Sequence, residues 1–176
     1  MKSTFVLLAL VISLSAFCQD RVNPVIKSAG GVFEVPESTL KPDPDLPYRI
    51  IIELVSASEN PKEVNQALNN VARLINLHVS GGAPKENLEV VVAIHGDASY
   101  TITDSPTYKK KYKEENPNLD LYKELSKAGV KLYICGQSIR ARSIDRATIT
   151  PEIQVATSML TTVTTYQLKG YAYLKF

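Results

Sequence analysis

The sequence has no tryptophan, only two cysteines and only two histidines among 176 residues. Two cysteines and two histidines cannot supply a zinc-ribbon array or a disulfide-dense scaffold, and a metal site falls short of the usual ligand count. An excess of one charge is also missing. Twenty basic residues against 18 acidic ones leave a formal net charge of +2, which excludes a strongly basic nucleic-acid binder. There is no GxxxxGK[ST] loop, GxGxxG, CxxC, HExxH or GxSxG elbow, so phosphate cradles, dinucleotide folds, dithiol redox motifs, zincins and serine-hydrolase elbows have no signature here. What is present is the balance of one globular domain, 44% apolar and 22% charged.

The longest apolar run is at the start. Lys2 is a positive n-region, and Phe5 to Leu14 form an apolar h-region. Ten residues at 1.5 Å each are too short for a hydrocarbon core of ~30 Å. Ser15-Ala16-Phe17-Cys18 offers small residues at −3 and −1 of a cut before Gln19. The expectation is a secretory signal peptide over 1–18 and a periplasmic mature protein with no membrane contact after cleavage. Two rivals are a lipoprotein signal with Cys18 lipidated, which the bulky Phe17 disfavours, and a retained anchor. Cleavage leaves one cysteine, Cys135. An unpaired thiol in an oxidising compartment is either buried and inert or reactive and used.

Residues 19–47 read as a proline-rich arm, holding Pro24, Pro36, Pro42, Pro44 and Pro47. Its Val32-Phe-Glu-Val-Pro36 stretch alternates briefly, as if to pair with a sheet edge or a neighbouring subunit. The compact domain spans 48–176. Apolar runs at 49–55, 88–94 and 130–134 predict buried strands, with weaker strands at 150–156 and 171–176. Between them, Asn60-Pro61 with Glu63 predicts a helix start, and Val64, Leu68, Val71 and Ile75 continue at helical spacing. One or two helices are expected in 105–128, a short one over 137–142, and one from Ser158 to Lys169. Strand–helix alternation implies a three-layer α/β fold: a mainly parallel five-stranded sheet with helices on both faces.

Ligand sites in such sheets gather at the carboxyl ends of the strands. His95 follows the second strand and Cys135 ends the third, each followed by a glycine, Gly96 or Gly136. If the strands are neighbours, imidazole and thiol can face one pocket, and both the imidazole and the helix after Gly136 would favour thiolate. Gln137 and Ser138 would shape that pocket and offer backbone amides. The plainer reading is that Cys135 packs and His95 hydrogen-bonds at a strand end. His78 reads as structural, and Lys109, Lys110, Lys111 and Lys113 as a solvated helix face.

These motifs resemble the DsrE/DsrF-like family. The resemblance is carried by Val91-Val-Ala-Ile-His-Gly96, Asn116-Pro-Asn118, Gly129-Val-Lys-Leu-Tyr-Ile-Cys-Gly-Gln-Ser138, Ile149-Thr-Pro-Glu-Ile153 and Gln167-Leu-Lys-Gly-Tyr171. It implies a flavodoxin-related three-layer fold, homo-oligomers (trimers or hexamers), no cofactor, and a persulfide-carrying cysteine. Cys135 is the position that matches that cysteine. The partners implied are small sulfur species or a thiol acceptor protein. The alternatives are a non-catalytic oligomeric module that binds a small ligand, with Cys135 as packing, and a thiol redox sensor.

Overall fold

β-branched side chains crowd the first two apolar runs, Ile50-Ile51-Ile52 and Val90-Val91-Val92. Their stiff χ1 favours extended backbone, and their lack of polar alternation demands cover on both faces. The computed structural model describes residues 20–176; the expected signal peptide, with Cys18, lies outside the described residues. β1 (Tyr48–Leu54), β2 (Leu88–Ile94), β3 (Lys131–Cys135), β4 (Gln154–Ala156) and β5 (Ala172–Lys175) form one all-parallel sheet in the order β4-β3-β2-β1-β5.

The connections are α1 (Gln66–Ser80), α2 (Ser105–Tyr112), α3 (Leu119–Lys127), α4 (Gly136–Ala141) and α5 (Met159–Leu168). From β1 to β4 the chain steps one way along the sheet, so right-handed crossovers put α1 to α4 on one face. The last connection returns from one edge to the other, which puts α5 on the opposite face. The two faces are unequal. Ile50, Ile52, Leu54, Val90, Val92, Ile94, Leu132 and Ile134 pack into the main core with α1, α3 and α4. On the other face Ile51, Val91 and Ala93 meet little more than Val163, Met159 and the rings of Tyr133, Tyr166 and Tyr171.

Two expectations are corrected. The first helix begins at Gln66, not at Asn60. Asn60 instead closes a turn with Glu63, whose backbone N–H it accepts at 3.1 Å, and Asn65 is the working cap, accepting from Leu68 N–H at 3.0 Å. The weaker fourth strand shrinks to three residues, because Ile153 N–H turns back onto the Thr150 carbonyl. By contrast, Ser158 caps α5 through Thr161 N–H at 3.0 Å, overcoming a β-branched run.

Residues 22–32 lie against the domain and do not join a sheet edge. Val22 and Val32 bridge to each other in antiparallel sense. Asn76, fully buried on α1, accepts from Val25 and Ile26 N–H at 3.0 and 2.9 Å and donates to the Ile26, Ala29 and Gly30 carbonyls. This one amide satisfies backbone groups that have no ladder of their own. Asn76→Ala should therefore destabilise the fold by roughly 2–4 kcal/mol and open residues 22–31 to limited proteolysis. Chemical unfolding and protease mapping check both. A variant that keeps its stability and its protected arm would contradict this role.

Candidate functional site

Side chains alternate along a strand, so Glu53 on β1 and Cys135 on β3 lie on the thin, α5-covered face with Ile51 and Tyr133. His95 extends β2 in extended backbone (φ −159°, ψ −166°) and its N–H bonds to the Leu54 carbonyl at 3.0 Å. Ile94 pairs with Ile134, so His95 and Cys135 are the next residues on adjacent strands, on the same face, at the carboxyl edge of the sheet.

Gly96 has φ +56°, and a Cβ there would meet the Val55 side chain at 2.7 Å and its carbonyl at 2.9 Å. Gly136 sits against β4, where a Cβ would lie 2.8 Å from the Ala156 carbonyl oxygen. Both glycines are thus fixed by close backbone approach.

Cys135 is only 7% exposed. Burial pushes its thiol pKa up, but the backbone N–H groups of Met159, Ser138 and Gln137 and the Ser138 hydroxyl outweigh this and hold it below the ordinary value. The amides come from the first residues of α4 and α5, so two chain segments aim donors at one sulfur. Gln137 itself is exposed and donates its side-chain amide to the Thr157 carbonyl at 3.3 Å, while Ser138 is buried. An open groove of about 700 Å³ begins at Gly136 and Gln137 and runs past Arg140 and Arg146 to Val155 and Thr157. Neither Cys135 nor His95 lines it.

The imidazole is held from the other side. His95 Nε2 lies 2.9 Å from a Glu53 carboxylate oxygen, and that carboxylate also accepts from Lys175 Nζ at 3.0 Å and from the Tyr173 hydroxyl. Glu53, Tyr173 and Lys175 were not among the residues the sequence singled out. The signal was the lone charge inside the apolar run Ile50–Val55, since a carboxylate buried in a central strand requires partners. His78 and the lysines stand elsewhere: His78 Nδ1 meets the Leu74 carbonyl at 2.8 Å, and Lys109 pairs with Glu115 on an exposed surface. Among the described residues no three His, Cys, Asp or Glu side chains come together to hold a metal ion.

A sequence model of the DsrE/DsrF-like family matches residues 51–176, well over half of the chain. The chain belongs to the DsrE/DsrF-like family. Two solved structures share its fold: a protein of unknown function, MTH1491, from Methanobacterium thermoautotrophicum (TM-score 0.53) and the ychN protein from E. coli (TM-score 0.52). Each is 17% identical, and each comparison covers 73% of this chain and 99% of the other. No curated protein matches the sequence. The family match begins inside β1 and takes in His95, Cys135 and the whole sheet beyond them. This DsrE/DsrF-like chain therefore carries its strand-end thiol within the family domain.

The Glu53 network makes stability pH-dependent. Burial raises the Glu53 pKa, but hydrogen bonds from Tyr173, Lys175 and His95 and the charge of Lys175 prevail and lower it. A lowered folded-state pKa gives stability that is complete above the ordinary carboxylate range and is lost as pH falls through the folded value. The stability gap between wild type and Glu53→Gln should shrink as pH drops from about 6 to about 3. Denaturant titrations across that range measure it, and a gap independent of pH would contradict the pairing.

Proposed function

We propose that this chain carries sulfane sulfur on Cys135 as a persulfide, passing it to a thiol acceptor. The observation that carries this reading is the place of Cys135, buried at the carboxyl edge of the sheet as the N-cap residue of α4, where the amides of Met159, Ser138 and Gln137 and the Ser138 hydroxyl hold its thiol below the ordinary pKa in spite of burial. The step balances. Cys135 thiolate attacks the sulfane sulfur of a donor such as thiosulfate, a new S–S bond forms, and the donor's S–S bond breaks with its electron pair leaving on sulfite. An acceptor thiolate then attacks the outer sulfur and Cys135 leaves as thiolate. The reading of residues 1–18 as a signal peptide places this chemistry in the periplasm, with donors and acceptors of that compartment.

A homo-oligomer, trimer or hexamer, is part of the same reading. It is supported by the exposed apolar side chains around α5 and β5. Leu160 and Leu168 stand 68% and 90% exposed, and Tyr173 and Leu174 are exposed on the edge strand β5. A second reading, a non-catalytic oligomeric module, is favoured by one observation: the groove at Gly136 takes in neither Cys135 nor His95. In that case the groove binds the ligand and the thiol packs.

Mass spectrometry of the folded protein after exposure to thiosulfate or polysulfide separates the two. The carrier reading predicts an added mass of one sulfur, about 32 Da, that reducing agent removes and that Cys135→Ser abolishes. A folded protein that takes up no sulfur, with a thiol inert to alkylation, would leave the binding-module reading standing.

A further inference from the structure

Glu53 is a buried carboxylate whose partners come from two strands, Tyr173 and Lys175 on β5 and, at the end of β2, His95. His95 Nε2 at 2.9 Å from a carboxylate oxygen must carry the hydrogen, because an ionised carboxylate only accepts. That leaves Nδ1 of the neutral ring as the acceptor, and Nδ1 has no partner among the described residues. Tyr173 and Lys175 reach the same carboxylate from β5 and hold it in place. Cys135 holds the matching position on β3, one residue beyond the Ile94–Ile134 pair and on the same face. Asp97, in the turn after Gly96, is directed away to Arg142 at 3.2 Å.

The geometry points to Glu53 as a positioning residue that fixes His95 in the Nε2–H tautomer, so that Nδ1 can take the Cys135 proton. A carboxylate, an imidazole and a thiol then stand in a row across β1, β2 and β3, the order used wherever a carboxylate orients the base of a nucleophile. In the transfer the Cys135 S–H bond breaks and an Nδ1–H bond forms. The products are a thiolate held by the amides of Gln137, Ser138 and Met159 and an imidazolium held by Glu53. This inference rests on Cys135 acting as a nucleophile, but the tautomer can be read without any sulfur chemistry.

The chain has only two histidines, and they provide an internal contrast. His78 Nδ1 faces the Leu74 carbonyl at 2.8 Å and must be Nδ1–H. Long-range ¹H–¹⁵N correlation spectra of the wild-type protein, recorded where both rings are neutral, should show opposite tautomers, Nδ1–H for His78 and Nε2–H for His95. An Nδ1–H tautomer at His95 would overturn the inference, and this measurement needs no variant to fold. In Glu53→Gln the pH midpoint of Cys135 alkylation should rise by about one unit, so that alkylation at neutral pH slows about tenfold. An unchanged profile in folded Glu53→Gln would also overturn it. The expected tautomer in a protein that accepts no sulfur supports the positioning role and instead overturns the carrier reading.

Discussion

Parallel pairing of β1, β2 and β3 without a slip in register is the constraint on which both the core and the site depend. The pairs Ile52 with Val92 and Val92 with Leu132 send one alternate set of side chains into the thick core and the other to the thin face. A slip of one residue in β1 would bury Glu53 among leucines and isoleucines and turn Ile52 and Leu54 outward. The apolar effect thus fixes the register, and the register sets Glu53, His95 and Cys135 side by side at the carboxyl edge. No interaction within the site has to do this; the site inherits its geometry from the core.

The inequality of the two faces follows from topology and bears on function. Three crossovers with four helices run over one face and a single ten-residue helix over the other. The thin face can therefore hold polar side chains close to solvent at the sheet edge, where donors from the starts of α4 and α5 meet Cys135. It also leaves apolar side chains of α5 and β5 uncovered, the kind of surface that a second copy of the chain can bury.

Much of the fold was legible in the sequence. The continuous apolar runs of β1 and β2 marked strands buried on both faces, and Ser158 marked the start of α5 despite its threonines. Asn60 misled because Asn-Pro with a glutamate three residues on is a valid cap signature, and only the tertiary structure shows Asn65 winning. In the site, the positions of His95 and Cys135 at the ends of neighbouring strands were legible. Glu53, Tyr173 and Lys175 were not, because their meeting depends on β5 pairing beside β1, a contact more than 100 residues apart in the chain. Met159 was hidden for a similar reason: its contribution is a backbone N–H, which carries no side-chain signal.

At Cys135, donors from two chain segments outweigh burial. A titration of the thiolate by ultraviolet absorbance in the folded protein, with Cys135→Ser as the blank, measures this balance. Ionisation is expected below the ~8.5 of an unperturbed thiol, moving upward in Ser138→Ala. Ionisation at or above that value, unaffected by Ser138→Ala, would mean that burial governs the sulfur and that Cys135 is a packing residue.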